Sequence, residues 1–238
     1  MKRLAGVSEL LDGPLEPDLL AGNLRDLERV NRWLGGQRLS WQALEHLLRD
    51  LPEDRPVRLL DVGTGAADIP LALLRRARRR GRRLQIVATE IRPEIIQAVR
   101  SRADLAAGLG LQLAAADRID QPSASFDVVH ASLVAHHLEP AGAVQLLREM
   151  ARVASVGVII NDLFRRWHAW LGAWLLTRLA TGNRYTRNDG PLSVRRAYQP
   201  AELAGLAGAA GLRPERLLRD PLRQRYALVL RPQATRTP

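Results

Sequence analysis

Two adjacent histidines, His136 and His137, and a set of acids spaced along the chain are the residues here that could do chemistry. A histidine near neutrality can take a proton from an oxygen nucleophile or orient one. Adjacent residues point different ways, so one histidine of the pair is expected to face a cleft and the other to pack. His136 is the candidate base or substrate orienter, His137 its partner, and His168 a reserve. Both could instead serve only in packing. Asp61, Glu90, Asp117 and Asp162 each stand at the end of a short apolar run, and Asp68 stands in the glycine turn that follows the first of them. There is no cysteine, which excludes a disulfide framework, a thiolate metal site and a cysteine nucleophile. No metal-ligand cluster stands out in the spacing, and no metal is expected.

The acids must be positioned by strands. Val57–Val62 is a short apolar run bounded by turn signals, as expected of a buried parallel strand. It leads into Gly63-Thr64-Gly65-Ala66-Ala67-Asp68. A dinucleotide fingerprint needs glycine where Asp68 stands, and a carboxylate there would repel a diphosphate. No P-loop follows. The turn suits a nucleoside that carries positive charge and no phosphate. A ligand-free strand–turn–helix is the bland alternative.

Leu-Asp-Val-Gly-Thr-Gly-Ala-Ala-Asp-Ile-Pro (60–70) resembles the first motif of class I S-adenosylmethionine-dependent methyltransferases, with Ala67 in place of the third glycine. Thr-Glu-Ile-Arg-Pro-Glu (89–94) resembles the second motif. Ser-Phe-Asp-Val-Val-His (125–130) is a familiar phrase of the same family. The resemblance implies a Rossmann-like α/β fold: a doubly wound, mostly parallel seven-stranded sheet, an antiparallel C-terminal hairpin strand and helical lid elements. It implies S-adenosyl-L-methionine as cofactor, leaving as S-adenosyl-L-homocysteine. The implied cofactor residues are Asp61, Gly63, Thr64, Gly65 and Asp68 at the turn, Glu90 and Ile91 at the ribose, Asp117 and Arg118 at the adenine, and Ser132 and Leu133 near the sulfonium. Asp117 could equally be a plain turn residue.

Periodicity predicts helices over 66–79, 93–104, 141–153 and 200–210, and strands over 84–89, 111–116, 126–131, 156–160, 213–219 and 225–231. Residues 1–20 read as a loose arm and 232–238 as a disordered tail. Residues 1–52 form an N-terminal helical cap, 57–162 the cofactor-binding core, 163–199 a lid insertion and 200–232 a C-terminal helix and hairpin, all within one domain. Helix 164–180 carries Trp167, Trp170 and Trp174 and is too short to span a membrane. It reads as a lid over an apolar substrate, or as a dimer or membrane-surface face. Residues 181–193 read as a polar loop. Trp33, Asp162, Trp167 and His168 are the candidate substrate residues. Trp41 is a further candidate, and both Trp33 and Trp41 could instead be packing anchors.

Formal net charge is +11, from 36 basic against 25 acidic residues, and Lys2 is the only lysine. The densest run, Arg75–Arg83, reads mainly as a solvated basic face at the bottom of the sheet. No aromatic-interleaved basic platform accompanies it, so no nucleic-acid partner is expected. The N-terminus lacks a secretory pattern, and a soluble cytoplasmic protein is expected. The function expected is O-methylation of a small aromatic or polyketide-like acceptor in secondary metabolism. C-methylation of a quinol ring is the close rival, since the chain also resembles the ubiquinone/menaquinone methyltransferase-like group. An RNA methyltransferase or nucleic-acid-associated protein is the more distant alternative. A homodimer is possible.

Overall fold

A computed structural model describes residues 1–100, 106–116 and 118–233. Seven strands form one sheet: β1 (Val57–Val62), β2 (Leu84–Glu90), β3 (Leu109–Leu113), β4 (Phe126–Ser132), β5 (Ala154–Leu163), β6 (Leu212–Asp220) and β7 (Arg225–Pro232). Their order is β3-β2-β1-β4-β5-β7-β6. The first five are parallel, and β7 lies antiparallel between β5 and β6. The strand order reverses beside β1, and open α/β sheets bind ligands at that switch point.

Eight helices are described: α1 (Pro17–Trp33), α2 (Gly36–Leu48), α3 (Asp68–Arg79), α4 (Pro93–Arg100), α5 (Pro140–Val153), α6 (Trp167–Ala180), α7 (Arg184–Arg196) and α8 (Pro200–Ala209). Apolar side chains on both faces of the sheet form two cores. One packs α5 and α8 against β4, β5 and β7. The other packs α2 and α3 against β1 and β2. Trp41 is buried in the second core, as a packing residue. Gly35 separates α1 from α2 with a left-handed φ of +83°, a conformation that glycine adopts without a Cβ penalty.

Five expectations need correction. Residues 181–193 form most of helix α7 rather than a loop. Asn183 starts it by accepting hydrogen bonds from the Tyr185 and Thr186 amides. Gly190 and Pro191 disguise the helix in the sequence, yet a Cβ on Gly190 would come within 2.8 Å of Thr177, so glycine permits α7 to pack closely on α6. Residues 1–20 are not loose. Leu4 N–H donates to Arg195 O, Arg3 pairs with Glu139, and the Leu10 and Leu11 amides donate to Asp189. α1 itself begins at Pro17. Strand β3 ends at Leu113, three residues short of the expected end. Strand β5 runs through Asn161 and Asp162 to Leu163 because β7 pairs with it there. Pro232, placed in the expected tail, closes β7, whereas 234–238 lie outside the described residues.

Candidate functional site

The glycine turn joins β1 to α3. Gly63 and Gly65 have φ of +66° and +52°, and Ala67 is held at +54° in the position where the family motif has glycine. A Cβ on Gly63 would come within 2.6 Å of Val134, so this glycine lets the loop after β4 close over the turn. A Cβ on Gly65 would meet open space. Glu90, at the end of the neighbouring strand, reaches over the turn. Its carboxylate accepts from Gly65 N at 3.1 Å and Ile91 N at 2.9 Å. The Ile91 side chain is exposed beside it. The Thr64 hydroxyl is buried without a partner among the described residues. An unpaired buried hydroxyl is costly. Thr64, Gly65 and Glu90 thus fit a nucleoside with a ribose diol.

Two other acids of the turn are committed elsewhere. Asp61 is buried, with Oδ1 2.6 Å from His130 Nδ1; the other nitrogen of His130 lies 2.8 Å from Ser40 Oγ. Asp68 accepts from Asn31 Nδ2 and from Gln37 Nε2, both at 3.0 Å, and so ties α1 and α2 to the turn. Burial pushes its carboxyl up to about 6. Asp117 lies outside the described residues, and Arg118 is exposed.

Between α1, α6, α7 and the arm is a cavity of about 440 Å³, which Leu133 at the end of β4 also lines. Its walls are largely apolar, with Leu27, Val30, Leu133, Leu163, Leu176 and Val194 among them. Polar atoms are few. Asn23 Oδ1 and Gln224 Oε1 belong to lining residues and are buried acceptors with no partner among the described residues. Leu133 joins the cavity to the end of β4 and sits at φ +58°, a strained conformation for leucine.

His136 lies on a short 3-10 turn, Ala135–His137, and lines this cavity. It is buried, and its Nδ1 is 2.8 Å from Asp162 Oδ1 on β5. Burial alone would raise the Asp162 carboxyl, but the charge and hydrogen bond of His136 outweigh it and hold the group below its usual range. The other ring nitrogen, Nε2, lies 3.7 Å from Glu9 Oε1 of the arm. His137 turns away from the cavity and bonds Asp12 at 3.0 Å. Burial disfavours its cation, yet the Asp12 bond and the Glu9 charge hold its pKa above the usual value.

Glu9, His136 and His137 bring one donor atom each within 4.8 Å of one another. The two histidine rings are stacked 4.6 Å apart at 28°.

Of the other expected substrate residues, His168 lines the cavity, whereas Trp33 and Trp167 face solvent and are absent from its walls. Both tryptophans looked like cleft residues only by composition. Three residues that sequence reasoning missed shape the site. Glu9 comes from the arm read as loose. Asn23 lies on the inner face of α1. Arg225, fully buried on β7, donates from Nη1 to Asn31 Oδ1 at 2.8 Å and from Nη2 to Ser132 Oγ at 3.2 Å. It is one of many arginines, and only its inward register at the start of a strand marks it.

Residues 59–157 match the family model described as "Methyltransferase domain". Over this core the chain is similar to methyltransferase domains. The methyltransferase fold is shared with solved structures of low sequence identity. A SAM-dependent methyltransferase from Aquifex aeolicus aligns with TM-score 0.62 and 16% identity over 91% of this chain and 98% of that one. Human N-acetylserotonin methyltransferase aligns at TM-score 0.66 and 16% identity, covering 92% of this chain but 57% of that one. The CurJ carbon methyltransferase aligns at TM-score 0.66 and 14% identity, covering 92% and 62%. A search of curated protein sequences returns no match. The matched domain marks the chain as an enzyme of methyl transfer, and S-adenosylmethionine as its cofactor agrees with neighbours such as the human enzyme, solved in complex with SAM.

Proposed function

We propose that this methyltransferase transfers a methyl group to a hydroxyl of a small, apolar, aromatic or polyketide-like acceptor bound in the cavity beneath α6. The observation that carries this reading is the His136–Asp162 pair: a buried imidazole on the cavity wall, with Nδ1 2.8 Å from a buried carboxylate.

S-adenosylmethionine, when bound, supplies a methyl group already activated on a sulfonium. Gly63, Thr64, Gly65 and Glu90 are the residues that would hold it, with Ile91 against the base and Leu133 at the junction with the cavity. The chain's remaining task is to align the acceptor, exclude water and remove a proton. His136 accepts the acceptor's hydroxyl proton at Nε2, and Asp162 fixes the tautomer and stabilises the imidazolium that forms. Glu9 faces the same nitrogen and adds negative charge. Asn23 and Gln224 offer unpaired acceptor oxygens, which favour a ligand bearing O–H donors. That favours oxygen over ring carbon as the methylated atom.

The Arg-rich run gives little support to a nucleic-acid substrate. Arg80 pairs with Glu45, Arg82 with Glu53 and with the Leu48 and Leu51 carbonyls, and Arg83 with the Asp54 carbonyl. Arg82 and Arg83 fasten the loop between α2 and β1.

The test is transfer of isotope-labelled methyl from S-adenosylmethionine to a panel of hydroxylated apolar aromatics, read by mass spectrometry. Label on oxygen of such an acceptor is the expected result. Label confined to ring carbon overturns the preference for oxygen, and label only on RNA overturns the reading as a whole.

A further inference from the structure

Helix α6 is apolar on two sides. One stripe, at 168, 169, 172, 173, 176 and 177, lines the cavity. The opposite stripe, Trp167, Leu171, Trp174 and Leu175, recurs at i, i+4, i+7 and i+8 and faces outward. Trp167 is 67% exposed, and Leu179, at the end of the helix, is 84% exposed. A run of large apolar side chains on one surface marks a docking face rather than ordinary scatter.

The charges around this face identify its partner. From Leu163 to Asn188 the chain has arginines at 165, 166, 178, 184 and 187 and no acid. Arg165 is buried against Glu202, and Arg184 pairs with Glu16. Arg166, Arg178 and Arg187 are exposed, and none pairs with a carboxylate of the described residues. Arg178 lies over the Trp174 ring at 4.2 Å. A second copy of this chain would set these same cations against each other. A surface that is apolar within and anionic at its boundary satisfies both halves of the pattern, and tryptophan favours the boundary itself. At 14 residues the helix cannot cross a bilayer, so it lies in the plane.

The cavity mouth opens on the same side. Leu176 of α6 and Leu222 of the β6–β7 turn both line the cavity and are exposed, Leu222 at 90%. Arg223 holds the Trp33 carbonyl at 3.2 Å, which brings that exposed tryptophan to the rim.

We propose that α6 docks flat on the surface of an anionic lipid bilayer. Its outer stripe lies among the headgroups and upper acyl chains, with Arg166, Arg178 and Arg187 on the lipid phosphates. Docking sets the cavity mouth against lipid, and the apolar acceptor enters from the bilayer. Only this delivery step rests on the function proposed above; the docking itself does not.

The experiment is co-sedimentation of the whole chain with vesicles of phosphatidylcholine, alone or mixed with phosphatidylglycerol. At low salt, binding to the anionic vesicles is expected to be at least tenfold tighter than to the neutral ones, and to weaken as salt rises. The double variant Leu175→Asp/Leu179→Asp should lose that binding tenfold or more. Its melting temperature and affinity for S-adenosylhomocysteine should be unchanged, since neither residue lines the cavity. Arg178→Glu/Arg187→Glu should abolish the preference for anionic vesicles. Absence of vesicle binding, equal binding by the double leucine variant, or a solution dimer broken by that same variant overturns the proposal. Vesicle binding is read without turnover, so failure of methyl transfer bears only on the proposed function.

Discussion

Asp162 presents Oδ1 to His136 Nδ1 at 2.8 Å, across 26 residues of sequence and between two adjacent parallel strands. β4 delivers the histidine just past its end, and β5 delivers the acid from within. The pair is therefore set by the register of the sheet. Replacing Asp162 with Asn leaves the ring in place but reverses which nitrogen carries the proton. Turnover should fall by about 10²- to 10⁴-fold, while S-adenosylhomocysteine affinity in calorimetry stays the same. Undiminished turnover would remove His136 from the role of base.

Thr64→Val tests the nucleoside site. The Thr64 hydroxyl is buried and unpaired, so the folded protein without ligand should be as stable or more stable, by up to about 1 kcal/mol. Cofactor affinity should fall by about tenfold. A variant that melts lower and binds the cofactor equally well would show that the hydroxyl serves the fold alone.

Asp68 predicts a pH dependence of stability. Its folded pKa, about 6, is raised from 3.8, so the folded state holds the proton more tightly. The resulting stabilisation is complete below pH 3.8 and is lost as pH rises through 6. It amounts to at most about 3 kcal/mol. Denaturant titrations between pH 4 and 7 should show wild type losing stability relative to Asp68→Asn across that interval. Parallel curves would contradict the assignment.

The arm should loosen at both ends of the pH scale. His137 is raised from 6.5, so its contribution is complete below 6.5 and is lost as pH climbs through the folded value. Asp12 is lowered from 3.8, because the hydrogen bond and charge of His137 outweigh burial; its contribution is present above 3.8 and is lost below. Hydrogen exchange at the Leu10 and Leu11 amides, corrected for intrinsic rate, should show greatest protection between about pH 4 and 6.5. Protection independent of pH would separate the arm from this ion pair.

Gly63 and Gly65 should fail differently on substitution by alanine. At Gly63 the new methyl meets Val134, and the chain should lose about 1–3 kcal/mol of stability. At Gly65 the methyl enters open space, so only the φ strain of about 1–2 kcal/mol applies, while cofactor binding is obstructed. A calorimetric titration that finds Gly65→Ala binding like wild type would move the nucleoside away from the turn.

The parallel core was readable because its strands are short apolar runs punctuated by glycine and proline, and because Glu90 stands where a strand stops. What escaped notice depends on contacts distant in sequence. α7 carries Gly190 and Pro191, which argue against a helix locally, yet Asn183 caps it and Asp189 accepts from the arm. Arg225 is indistinguishable from its many neighbours until β7 inserts beside β5. Trp33 and Trp167 carry a strong apolar signal, but composition says nothing about which way a side chain points. Tertiary pairing overrode local propensity at each of these places.

The cavity is closed by groups from opposite ends of the chain. Glu9 faces His136 from the arm, and the Leu10 and Leu11 amides rest on Asp189 of α7, 179 and 178 residues away. The cavity therefore depends on α7, which follows the first five strands in the chain, whereas the glycine turn depends on the first of them. On the roles proposed above, the donor turn is encoded by the first strand, and the acceptor chamber is completed by segments that follow the fifth.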